Sequence, residues 1–352
     1  MVALANRSGV SLVREGNRYD AKVEKRLQRL TAAALMGLAV GLFFLIARQY
    51  LDRPWSLAVA SWGGFATQIW STASRGLWSH TWDVVLLAVV VLHLVRVENR
   101  VGRLRPVLLA TLLAWGYFVR PMAVFYIVPI TLYVLARDLR RGSIVVATGG
   151  VWLGLFVAFN EYTFGHWLPD YYRQARDLGL ETWATGFLAH TISPSRGLFV
   201  QLPMLALIGA ALVVWRRRLM HRGLAAAAVA ALGLQLLVVP AFSNYWSGQC
   251  YGPRFFTDLV PLFVLLAAIT AQSWRAHSSG SEKRRRLRAL RLGVAVCFVA
   301  GMLIHGAGAW SPRSASWSRG IAQDPARIFD WRHSQWACAL SPRWCPPGVL
   351  RG

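Results

Sequence analysis

The chain has 352 residues, 55% of them hydrophobic, and carries 39 basic against 15 acidic side chains for a formal charge of +24. So apolar a composition excludes an ordinary soluble domain. The charge does not point to nucleic acid either, because the arginines stand in short clusters between apolar runs rather than on one continuous basic surface.

Taken in order, the N-terminal stretch MVALANRSGVSLVREGNRYD is too polar for a signal peptide. Residues 1–30 read as a polar segment, 31–310 as a transmembrane domain and 311–352 as an extracytoplasmic tail. Apolar segments at 31–47, 55–73, 83–96, 106–119, 121–136, 143–160, 198–214, 223–242, 257–272 and 291–310 predict an all-α polytopic membrane protein of about ten helices. The fourth and fifth are short and are divided by Arg120-Pro121. Proline disfavours helix in the residue before it, so a tight helical hairpin is expected there.

Arginine and lysine loops set the orientation. Arg48 and Arg53, the cluster from Arg96 to Arg105, the cluster from Arg137 to Arg141, the run Arg216 to Arg222, and the run from Arg275 through Lys283 to Arg291 fall in alternate loops. The positive-inside rule makes that set cytoplasmic, and ten spans then place both termini outside. Lys22, Lys25, Arg26 and Arg29 pull the other way, since alone they would hold the start of the first span in the cytoplasm.

The opposite loops collect Arg or His beside Gly, Pro and aromatics. Arg75, Arg120, Arg196 and Arg254 each stand at the end of a predicted span. One interfacial arginine is most simply a snorkelling anchor. Four on one face, next to Gly or Pro turns whose backbone amides can approach an anion, suit a phosphate or pyrophosphate held bidentately. Asp258 follows Arg254 by four residues, the helical spacing at which it would steer that guanidinium or simply pair with it. Trp246, Tyr245 and Tyr251 offer flat faces for a sugar or an isoprenoid, or belong to the interfacial belt. His80, between Trp78 and Trp82, reads as a base, a phosphate ligand or a structural belt residue. Glu161, Asp170, Asp177 and Glu181 form no pair whose spacing dictates acid/base chemistry, so the catalytic residue stays unknown. Cys338 and Cys345 suit either a disulfide in an oxidising compartment or free thiols. Nucleotide, metalloprotease, hydrolase and Cys/His metal motifs are missing from the sequence, so neither cofactor nor metal is expected.

The segments WSTASRGLWSH, GYFVRP, FNEYTFGHWLPDYY, SPSRGLFVQLP, YWSGQCYGPRFFTDLVP and FDWRHSQW, in that order from about residue 30 to about 336, resemble the bacterial GT-C membrane glycosyltransferases related to protein O-mannosyltransferases. The resemblance implies a multi-pass inner-membrane enzyme. Such an enzyme takes a sugar from a polyprenyl-phosphate carrier and moves it to a glycan, lipid or protein acceptor on the outer face. It implies carrier contacts at Arg254 and Arg196, then Arg75 with His80 and Arg120, with Trp246 and Tyr251 along the sugar path. It also implies that the sequence begins after the family's first span and acid-bearing loop, where Glu15 and Asp20 are the carboxylates at hand. A second reading is a non-catalytic membrane protein that binds or flips a lipid of that type.

Overall fold

The computed structural model describes residues 13–14, 18–169, 179–276 and 281–347, with side chains from 20–169, 179–276 and 291–347. Glu15, Asp170 and Asp177 lie outside the described residues. A minimal antiparallel ladder, β1 (Val13–Arg14) with β2 (Arg18–Tyr19), precedes an otherwise helical chain.

Helix α1, Ala21–Arg48, starts where the Asp20 carboxylate accepts the Lys22 and Val23 amides at 2.9 and 3.3 Å. That cap, with Glu24 in the first turn, begins the helix well before residue 31. The polar residues 21–30 and the apolar residues after them therefore form one helix, and the expected boundary at 30 falls inside it. Asp52 caps α2, Arg53–Phe65, and a π-helical stretch, Ile69–Ala73, follows. Next come α3 (Ser79–Glu98), α4 (Pro106–Val119) and α5 (Val124–Arg137). Between the last two, Arg120 is extended before the 3-10 turn Pro121–Ala123, so the chain turns where the sequence expects it, but α4 and α5 pack on the helix Leu139–Phe164 rather than tightly on each other.

Helix α6, Leu139–Phe164, ends at Gly165 with φ +70°. After it come α7 (Trp183–Thr191), α8 (Leu198–Gln201), α9 (Pro203–Trp215) and α10 (Arg222–Val238). A 3-10 segment, Arg254–Leu259, leads into α11, Val260–Ala276. Then α12, Ser281–Trp310, is followed by the tail helices α13, Arg313–Ser318, and α14, Gln335–Leu340. A Cys338–Cys345 disulfide closes the end of the tail.

Helical residues make up most of each of the ten predicted apolar segments, with breaks at 66–67 inside 55–73 and at 202 inside 198–214. Among the described residues six helices are long and apolar enough to cross a bilayer, and α4, the Pro121–Arg137 helix and α9 are shorter apolar helices. The chain is an all-α, multi-pass membrane protein. The segment Arg254–Ala276 is its axis: 89% of its apolar window is buried, against 11% for α6 at the periphery.

Polar contacts sort the loops to two ends of the bundle. At one end Asn99 donates to the Gln49 carbonyl at 3.2 Å and meets His221 at 2.8 Å. There too Glu98 pairs with Arg137 and His221, and Asp52 with Arg275 at 2.7 Å. These are the loops that the basic clusters occupy, so the clusters share one end in space as well as in sequence. The other end carries the buried polar residues described next.

Candidate functional site

Residues 243–253 are irregular backbone that runs into the 3-10 turn at 254–256 between helices, where every buried carbonyl must find a donor. Arg196 Nε donates to the Trp246 carbonyl at 2.9 Å and its Nη2 to Gly248 O at 3.4 Å. Gln335 Nε2 and Ser318 Oγ donate to Cys250 O at 2.9 and 3.0 Å. Thr72 of the π-helical stretch donates to Tyr251 O at 3.2 Å, and Gln68 to Pro253 O at 3.3 Å. Gln235 of α10 donates to Phe255 O. Left-handed backbone at Ser247, Gly248 and Gly252 lets the loop turn between these anchors.

The loop delivers two side chains of opposite character. Asp258, in the 3-10 segment, is buried and meets His80 Nδ1 at 2.6 Å and Arg120 Nε at 2.5 Å. Arg120 also donates to Ser79 Oγ at 3.3 Å. Two buried charges in direct contact compensate each other's desolvation, so Arg120 and Asp258 hold α3, the α4–α5 turn and the start of α11 together. Beside them Tyr126 donates to Asp83 Oδ1 at 2.6 Å. This approach needs Gly116, where a Cβ would stand 2.2 Å from the Tyr126 hydroxyl.

Arg254 is the opposite case. Its Nε is buried with no hydrogen-bond partner, its guanidinium lies 5.8 Å from the Phe255 ring centroid, and no carboxylate among the described residues pairs with it. The expected alignment of Asp258 with Arg254 fails for a geometric reason. A 3-10 turn has three residues, so positions four apart diverge instead of sharing a face.

Arg196 is wholly buried, bonded to loop carbonyls and to Gln335 Oε1, and lies over the Trp317 ring at 5.6 Å. Burial pushes its guanidinium below the ordinary arginine range, and the neighbouring Arg254 charge acts in the same direction. His190 packs edge-on against Phe255 and Phe256 with neither ring nitrogen hydrogen-bonded. Burial, with the Arg196 charge beside it, brings His190 down to about 3.

The predicted residues thus separate. His80, Arg120 and Asp258 form one buried ion network, and Arg196 clamps the loop. Trp246 meets Tyr245 edge to face, and both pack against the apolar cluster that includes Trp317 and the disulfide cysteines. Tyr251 is core: its hydroxyl donates to Ile304 O at 2.6 Å, and its ring fills the space over Gly308. Arg75 is exposed beyond the π-helical stretch, apart from these contacts.

Comparisons with protein-family models, with curated proteins and with solved structures find no match to this chain. The site therefore rests on its own geometry. Sequence reasoning missed Asp83, Tyr126 and the glutamines 68, 201, 235 and 335. Asp83 carried a signal, since a carboxylate within an apolar helix, here its fifth residue, needs a buried partner. The glutamines carried none: Gln68, Gln235 and Gln335 act on backbone carbonyls 185, 20 and 85 residues away, and Gln201 on the Pro194 carbonyl seven residues back.

Proposed function

We propose that the chain is an integral membrane glycosyltransferase that moves a sugar from a polyprenyl-phosphate carrier to an acceptor on the extracytoplasmic face of the inner membrane. The single observation that carries this reading is Arg254. Among the described residues its guanidinium has no carboxylate partner, it stands on a loop fixed by side chains from several elements, and its charge acts on the neighbouring Arg196. A cation so placed, with no counter-ion among the described residues, suits a phosphate, and preorganisation makes it effective toward a departing lipid phosphate. In this reading the nine apolar helices, with α2 and its π-helical extension as a tenth, all span. The termini lie outside, where the Cys338–Cys345 disulfide would be stable.

One observation favours a second reading, a non-catalytic protein that binds or moves the carrier lipid. Asp258, the carboxylate closest in sequence to Arg254, is committed to Arg120 and His80. The test is to present the purified full chain with a panel of polyprenyl-phosphate hexoses and to measure binding and sugar release separately. Binding with release supports transfer, and binding without release supports the second reading. Arg254→Ala is expected to abolish binding while membrane insertion persists. Unchanged donor binding in that variant removes both readings of the site.

A further inference from the structure

A second site lies at the opposite, basic end of the bundle. A cavity of about 570 Å³ runs between α2, α9, α11 and α12, within the range of about 300–1,000 Å³ usual for small-molecule sites. Its bore is apolar. At the basic end it is lined by Trp55, Trp215 and Trp274, with Trp55 and Trp274 edge to face at 5.9 Å, and by Arg291. Arg291 is exposed and has no carboxylate partner among the described residues, whereas the neighbouring Arg275 is paired with Asp52. From Arg291 to Val299 the lining follows α12 for about 12 Å at the helical rise of about 1.5 Å per residue. That depth is comparable with one leaflet's hydrocarbon, about half of the roughly 30 Å core. An apolar bore one leaflet deep, indoles at the head-group level and one free guanidinium at the rim complement a particular molecule.

We propose that this cavity binds one anionic glycerophospholipid from the leaflet at the basic end, with an acyl chain in the bore and the phosphate on Arg291. Indoles favour the boundary between chain and head group, and arginine donates bidentately to a phosphate. The site is distinct from the one at Arg254, which lies at the other end of the bundle.

The test is native mass spectrometry of the purified full chain with phosphatidylglycerol or phosphatidylcholine of identical acyl chains. The wild-type protein is expected to retain one phosphatidylglycerol in preference to phosphatidylcholine. Arg291→Gln should weaken phosphatidylglycerol about fivefold, the loss for one basic residue at an anionic lipid surface, and leave phosphatidylcholine unchanged. Ala271→Phe should fill the bore and remove both lipids; if that variant does not fold, Ala295→Leu fills the same wall, and the exposed Arg291→Gln stands by itself. Arg254→Ala should bind phosphatidylglycerol as the wild type does. Equal retention of the two lipids, or an unaltered Arg291→Gln, overturns the assignment. So does displacement by inorganic phosphate, which would mean a free-anion site. Displacement by polyprenyl phosphate would assign the cavity to the carrier and overturn it too.

Discussion

Replacing Asp258 by asparagine keeps the shape of the side chain and removes its charge. Arg120, with its side chain 7% exposed, then loses the carboxylate 2.5 Å away and stays in the interior as an uncompensated cation. Breaking such a pair from one side costs about 3–5 kcal/mol, a large part of the roughly 5–15 kcal/mol that holds a typical protein folded. The loss at His80 adds to this, since its ring sits 2.6 Å from the same carboxylate. A second substitution separates the charge effect from a packing effect. Arg120→Met removes the cation, so Asp258→Asn made in that background should cost about 1–3 kcal/mol less than it does alone, the size of coupling found between contacting groups. The assay is reversible denaturation of the four proteins of the cycle in one detergent, followed by the monomer fraction on size exclusion. An Asp258→Asn cost under about 1 kcal/mol, or strict additivity with Arg120→Met, would refute the argument that the pair ties three elements together.

Three further outcomes are expected, besides the loss of donor binding in Arg254→Ala. His190 is held at about 3, so folding keeps it neutral while the unfolded chain takes up a proton near 6.5. Its contribution is complete above about pH 6.5 and falls by about 1.4 kcal/mol per pH unit as the pH drops toward 3; His190→Phe should flatten that part of the stability profile, and an unchanged profile would refute the assignment. Gly308→Ala puts a Cβ 2.4 Å from the Tyr251 ring, and should cost about 1–3 kcal/mol by overpacking, relieved by Tyr251→Ala in the same chain. A reporter fused after Gly352 should read extracytoplasmic, and a cytoplasmic signal would break the ten-span arrangement.

The membrane class and the segment positions were legible because hydropathy and proline placement act locally. The break at Arg120-Pro121 shows this best, since one residue pair both ends α4 and opens the turn. The start of α1 was misplaced because hydropathy marks where a helix is apolar, whereas Asp20 decides where it begins. The site was legible only as an inventory. His80, Arg120, Arg196 and Arg254 look alike in sequence, each a basic group beside aromatics. Their separation into ion pair, carbonyl clamp and a cation unpaired among the described residues depends on partners up to 178 residues away. Asp258 shows the same limit: a four-residue spacing implies a partner only if the segment is α-helical, and Arg254–Leu259 is not.

The way the 243–256 loop is held has a consequence for how this protein can vary. Its carbonyls take their donors from Gln68, Thr72, Arg196, Gln235, Ser318 and Gln335, which are spread over most of the chain and share no local motif. Loss of Gln68, Thr72, Arg196 or Gln235 takes the side-chain donor from a carbonyl in the same short stretch of backbone, close to Arg254, and loss of Ser318 or Gln335 takes one of the two donors at Cys250 O. Positions that no alignment window would group are therefore bound to a common fate: the loop can be rebuilt only by altering several of them together, while single steps are penalised wherever they start.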